Sequence, residues 1–154
     1  MRAPTLFDRI IQGELPSHRV YEDDLVVAFL DIAPQSRGHL LVVPRESAAT
    51  MAELSDESAA AIGRVLPRLC RAAAIASGSP LSNILQNNGR GAGQAVPHVH
   101  FHVIPRTGPR GKPFSGLETD WRPGSLGGAE GQRIAEHIRI ALEAEAEAPA
   151  GGDA

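Results

Sequence analysis

An α+β domain is the fold class this sequence predicts, on three observations. Five short runs rich in β-branched and large apolar residues are joined mostly by short connections, which favours antiparallel pairing. One long segment, Ser55 to about Ser77, repeats apolar residues at helical spacing. The chain has 154 residues, 42% of them apolar and 21% charged, the length and composition of one ordinary domain. Residues 1–145 are read as that single domain. Residues 146–154 are read as a disordered tail, because EAPAGGDA has nothing to bury. The expected architecture is a five-stranded, mostly antiparallel sheet with helices on one face.

The elements follow in order. Residues 5–13 (TLFDRIIQG) place Leu6, Phe7, Ile10 and Ile11 at helical spacing, with Gly13 as a stop. His18–Tyr21 and Leu25–Leu30 read as strands joined by the tight turn Glu22-Asp23-Asp24. His39–Val43 is the third strand, after the Pro34–Gly38 turn and before Pro44. The long helix opens at Ser55, with Asp56 and Glu57 in its first turn, where acids favour the positive end of the helix dipole. Its core side carries Ile62, Val65, Leu66, Leu69 and Cys70, and Pro67 predicts a kink or a break. Strands are expected at Leu81–Gln86 and Pro97–Pro105, joined through the glycine-rich NNGRGAG. Residues 106–128 read as a loop, and Gln132–Glu143, with Ile134, Ile138 and Leu142 on one side, as a final helix.

Composition removes several classes of function. One cysteine, Cys70, excludes a disulfide framework and a CxxC metal knuckle. A net charge of −3 argues against a general nucleic-acid or membrane-surface binder. No apolar run approaches the roughly 20 residues that span a bilayer. The start MRAPTLFDRIIQGELP has scattered charges and no apolar core, so no signal peptide is expected and the setting is read as reducing and cytoplasmic.

The chemistry concentrates in Gly91–Pro105, GAGQAVPHVHFHVIP. Alternate side chains of a strand share a face. His98, His100 and His102 therefore point one way, and Val99, Phe101 and Val103 the other way, into the core. Half of the chain's 6 histidines lie on this one face. One reading is a metal site. At about 3.3 Å per residue, His98 and His102 sit roughly 13 Å apart at Cα, too far for one ion to take all three from a straight strand. Two of them with a ligand such as His39 remain possible. The other reading is nucleophilic catalysis, since neutral imidazole is a nucleophile and its pKa near 6.5 keeps it mostly neutral at pH 7. Asn88–Gly93 would bring backbone N–H groups close to an anion. Arg106, Arg110 and Lys112 could line a basic mouth, although a solvated loop fits them better.

The run His98-Val99-His100-Phe101-His102-Val103-Ile104 resembles the signature of the histidine triad (HIT) family. LFDRIIQGELP, YEDD at Tyr21–Asp24, FLDIAPQSRGHLLVVP at Phe29–Pro44 and QNNGRGAGQAVPHVHFHVIPR at Gln86–Arg106 agree in order and spacing. The resemblance covers about residues 5–106 and is closest to the Hint-like nucleotide-binding branch. It implies a five-stranded sheet that joins a second copy into a ten-stranded sheet across a homodimer. It also implies hydrolysis or transfer at the α-phosphorus of purine nucleotide conjugates: a phosphoramidate, an acyl adenylate or a dinucleoside polyphosphate.

On this resemblance His100 is the nucleophile that forms a nucleotidyl-histidine, and His98 orients it. His102 and Gln94 hold the phosphate or leaving group. Asn87 and the backbone from Gly93 to Ala95 contact the phosphate, Asp31 accepts the ribose hydroxyls, Phe29 and Ile32 line the base pocket, and His39 stands behind the triad. No cofactor is required, and magnesium could accompany a polyphosphate substrate. Many bacterial relatives carry a Cys-x-x-Cys that holds zinc with histidines aligned with His39 and His98; Thr5 and Asp8 stand at those cysteine positions, so no structural zinc is expected. Ala95 replaces a serine frequent in the branch, which leaves the leaving group open. The rival readings are a nucleotide-binding regulator with negligible turnover and a metal-dependent hydrolase.

Overall fold

The computed structural model describes residues 2–106 and 123–148. Helix α1 (Leu6–Ile11) is capped by Thr5, whose hydroxyl accepts from the Asp8 N–H. The chain leaves the helix through Gly13, at φ +79°, a left-handed conformation that glycine adopts without a Cβ penalty. Strands β1 (Arg19–Glu22) and β2 (Val26–Leu30) form the expected hairpin. Its turn is closed by the Asp23 carboxylate, which accepts from the Leu25 and Val26 N–H groups at 2.8 Å each. Strand β3 (Leu40–Pro44), helix α2 (Asp56–Ser77), strands β4 (Ser82–Gln86) and β5 (Phe101–Pro105) and helix α3 (Gly128–Glu147) complete the described elements.

The five strands form one antiparallel sheet in the order β1-β2-β3-β5-β4. Strand alternation divides the apolar residues between two faces. Val26, Ala28, Leu30, Leu40, Val42, Val99 and Val103 form one core with α2 and α3, through residues such as Ile62, Leu69, Ile134 and Ile138. Val27, Phe29, Leu41 and Val43 face the other way and are covered by Phe7 and Ile10 of α1. The long helices thus share one face, as expected, while α1 takes the opposite one. A helix of 6 residues covers only part of a sheet face, and the histidines occupy the rest.

Four expectations are corrected in detail. Helix α2 runs through Pro67 without a break. Pro67 and Gly63 are both exposed, so water can take the Gly63 carbonyl that Pro67 cannot bond. Strand β5 begins at Phe101, not Pro97. The Val99 N–H bonds the Ala48 carbonyl instead of a sheet neighbour, and Pro97 has no N–H to pair. Helix α3 starts at Gly128 and reaches Glu147, two residues into the expected disordered tail; 149–154 lie outside the described residues. So do 107–122, with Arg110 and Lys112.

Leu69 is fully buried between α2 and the sheet. Leu69→Ala is expected to cost about 2–5 kcal/mol through lost transfer energy and a residual cavity. Urea unfolding with an unchanged m-value checks it.

Candidate active site

The histidines gather because β3 and β5 are neighbours. Leu41 pairs with His102, and Leu40 with Val103, so alternation places His39 and His102 on the same, α1-covered face. Gly38, at φ +87°, turns the chain so that His39 enters this face. Although 98–100 are not strand, their alternation persists. Val99 enters the helix-side core, whereas His98 and His100 meet the edge of the Phe7 ring, with centroids 6.0 and 5.0 Å away. The three triad side chains are buried, at 0%, 5% and 8% exposure.

Hydrogen-bond partners set the tautomers. His100 Nδ1 lies 2.8 Å from the His98 carbonyl, which only accepts, so Nδ1 carries the proton and the neutral ring keeps its lone pair on Nε2. The Gln35 N–H donates to His39 Nδ1 at 3.0 Å, so the His39 proton is on Nε2. That nitrogen is 2.9 Å from His102 Nδ1 and donates to it, which leaves the His102 proton on Nε2. A nucleophilic nitrogen and a donor N–H therefore stand on adjacent rings, whose centroids are 5.1 Å apart.

Burial keeps these rings neutral. It pushes the His39 pKa down to about 3, with the Arg106 charge adding to it. It pushes His102 to about 4, helped by His39 and His100. Burial also holds His100 below its ordinary value, against the opposing effect of the bond to the His98 carbonyl.

Asp31 follows β2 on the same face as Phe29. Its Oδ1 accepts from the Ala33 N–H at 2.8 Å, and Oδ2 lies 3.6 Å from His39 Nε2. The next residues are braced from the C-terminal side, where Gly124 N–H bonds Pro34 O at 2.8 Å and Leu126 N–H bonds Ile32 O at 3.1 Å. Phe29 is buried against Phe7, whereas Ile32 is 70% exposed, so the two do not form one closed slot. Gly93 has φ +90°, and its carbonyl accepts from Asn87 Nδ2 at 3.4 Å. Gly93 and Ala95 are exposed.

Gln94 is buried beside the glycine loop. Its amide oxygen accepts from the Gly89 N–H and its nitrogen donates to the Ala49 carbonyl, both at 2.7 Å. The side chain holds the glycine loop to the 44–49 segment. Arg106 is tied to Asn83 Oδ1 at 2.8 Å, within the sheet edge.

The sequence matches the HIT domain family over residues 12–108. The chain belongs to the HIT family. An adenosine 5'-monophosphoramidase of Schizosaccharomyces pombe is 50% identical over 101 residues, 66% of this chain and 73% of that protein. An adenylylsulfatase of Arabidopsis thaliana is 41% identical over 101 residues, 66% of this chain and 51% of that longer protein. Among solved structures, a zinc-bound histidine triad protein of Mycobacterium smegmatis superposes with a TM-score of 0.78 at 30% identity, covering 94% of this chain and 96% of that one.

Two groups in this HIT protein bring together side chains of metal-ligand type. The zinc set implied by the family does not form as aligned. His39 is engaged with Gln35, His102 and Asp31, while Thr5, Asp8 and His98 gather with Ser47. That second group offers two hydroxyls, a carboxylate and one imidazole, a poor donor set for zinc, which favours thiolate and imidazole. Asp31, His39 and His102 hold three ligand atoms within 4.8 Å of one another. The two nitrogens are 2.9 Å apart, however, against roughly 3.3 Å for two imidazoles on a tetrahedral zinc with 2.0–2.1 Å bonds. A shared proton fits that gap better than an ion.

Sequence reasoning missed Ser47, Phe7 and the Gln35 N–H. One signal was present for Thr5 and Asp8: Thr-x-x-acid before an apolar run is a capping box.

Proposed function

We propose that this HIT protein hydrolyses adenosine phosphoramidates and related conjugates at the α-phosphorus through a covalent intermediate on His100. The observation that carries the reading is the His100 tautomer, with Nδ1–H held by the His98 carbonyl and the Nε2 lone pair left for attack. The names of the Schizosaccharomyces pombe and Arabidopsis thaliana relatives support the substrate class.

His100 Nε2 forms a bond to the α-phosphorus as the bond to the leaving amine breaks. The departing nitrogen takes a proton from water. Attack places positive charge on the His100 ring, and the His98 carbonyl stabilises it through the Nδ1–H bond. The His102 Nε2–H donates to a phosphoryl oxygen. Water then attacks the same phosphorus, loses a proton, breaks the P–N bond to His100 and releases the nucleoside monophosphate. Asp31 accepts from the ribose hydroxyls.

The protein acts as a homodimer in this reading. Strand β4 is an edge of the sheet, with Leu81 and Ile84 exposed at 64% and 50%, an edge that a second copy would cover. Among the described residues no helix is long and apolar enough to cross a membrane, and Cys70 is free, which suits a reducing, cytoplasmic setting.

The test is a denaturing alkaline quench of the protein with a fluorogenic adenosine phosphoramidate, which preserves an acid-labile P–N adduct, followed by mass analysis. A nucleotidyl adduct on the 98–102 peptide supports the reading; rapid turnover that passes through no adduct overturns it. Chelator is expected to leave phosphoramidate cleavage unchanged. Loss of that cleavage would favour the metal reading, and loss confined to diadenosine tetraphosphate would mean magnesium on the polyphosphate.

A further inference from the structure

We propose that Gly124 is a positioning residue for the triad, its N–H holding the Pro34–Gln35 peptide so that this peptide fixes His39 and, through His39, the donor nitrogen of His102. The inference rests on the reading of His102 as donor to a phosphoryl oxygen and adds to it a residue from the C-terminal segment.

One peptide group is bonded on both of its sides. The Pro34 carbonyl accepts from the Gly124 N–H at 2.8 Å, and the Gln35 N–H donates to His39 Nδ1 at 3.0 Å. These are the two ends of a single trans peptide, planar, with its carbonyl and N–H pointing opposite ways. Whatever fixes the carbonyl therefore fixes the direction of the N–H. The order of protons then follows: His39 accepts on Nδ1 and donates from Nε2 to His102 Nδ1 at 2.9 Å, so neutral His102 keeps its proton on Nε2. Reversing the peptide would turn the Pro34 carbonyl toward His39. Both rings would then carry their protons on Nδ1, leaving a lone pair on His102 Nε2 where a phosphoryl oxygen needs a donor.

The bond from Gly124 is part of a register. The Leu126 N–H bonds the Ile32 carbonyl at 3.1 Å, so two bonds spaced two residues apart on both sides lay this segment antiparallel against 32–34. Leu126 anchors it by packing on the core shared by α2 and α3. The approach at Gly124 is close: a Cβ there would stand 3.1 Å from the Pro34 oxygen, so a larger residue pushes on the carbonyl. The segment and the site also share a cleft, lined by Ser125 and Leu126 on one side and by Asp31, Pro34 and His39 on the other. The Arg37–Glu130 ion pair, at 3.5 Å, joins the same loop to α3 through two half-exposed side chains and contributes little.

Gly124→Pro removes the N–H that holds the carbonyl and leaves the Gln35 N–H in place. With the fluorogenic phosphoramidate, kcat is expected to fall roughly tenfold with KM within about threefold, less than the roughly 10²–10³ that deleting a transition-state donor outright costs. Ring ¹⁵N signals, which report the nitrogen that carries the proton, are expected to shift for His39 and His102 and to stay in place for His98. Glu130→Gln loosens the same loop without touching the peptide and is expected to keep wild-type kcat and ring signals. Unchanged kcat or unchanged signals in Gly124→Pro would overturn the proposal, as would an equal loss in Glu130→Gln. If Gly124→Pro does not fold, Leu126→Ala withdraws the anchor instead. A smaller kcat loss with the same His39 and His102 shifts then supports the coupling, and no change in kcat or in the signals overturns it. A wild type with His102 protonated on Nδ1 overturns it without any variant. If the wild type cleaves no phosphoramidate, the functional reading fails, and the ring signals still decide whether Gly124 sets the tautomers.

Discussion

Replacing His100 by alanine is expected to lower kcat for an adenosine phosphoramidate by roughly 10⁴-fold or more, the scale of losing a covalent nucleophile. The loss is large because no neighbour can substitute. His98 spends Nε2 on the Pro44 carbonyl, and His102 receives the His39 proton on Nδ1, so its outer nitrogen is a donor. His100→Asn separates the effect from folding, since it fills part of the space beside Phe7 and carries no nucleophilic nitrogen. Both variants are expected to retain AMP binding within about tenfold, because Asp31 and the glycine loop are untouched. Hydrolysis by either variant within tenfold of wild type would end the nucleophile reading, and a wild type without turnover would favour the regulator.

The second large effect is on pH dependence. Attack needs neutral His100, and burial holds its pKa below the ordinary 6.5, so the acid limb of kcat/KM is expected below pH 6.5, with a plateau through neutrality. An acid limb at or above 6.5 would contradict the buried, neutral ring. Stability follows the same side. His39 and His102 titrate at about 3 and about 4 when folded but near 6.5 when unfolded. Between those values the unfolded chain binds protons that the folded one does not, so stability rises with pH across this window. Each unit of depression is worth about 1.4 kcal/mol between the two protonation states. Acidification from pH 7 is therefore expected to lower the denaturation midpoint steadily, with the loss complete only below about pH 3. His39→Gln and His102→Gln should each flatten that slope.

Much of this was legible along the chain. Local rules, alternation in strands and spacing in helices, suffice to place His98, His100 and His102 opposite Val99 and Val103, and to put Phe29 and Asp31 on one face. The HIT resemblance implies roles for His100 and Asp31 because those residues sit within a continuous, ordered motif. What the chain did not show are contacts between partners distant in sequence. The partners of the Gln94 side chain, Gly89 and Ala49, are supplied only by the fold. His39 reads as standing behind the triad, and only β3 lying beside β5 makes His102 its partner.

What the sequence by itself determined is the α+β class, the order of the elements, the triad's shared face and the family, all properties of spacing within short segments. Only the tertiary structure decided that α1 covers the triad's face, that His100 holds its proton on Nδ1, and that Asp8 meets His98. The reason is physical: a ring's orientation toward a neighbouring carbonyl, as at His100 and His98, is set by packing that no local rule fixes, and residues as far apart in sequence as Asp8 and His98 carry no local signal of their meeting.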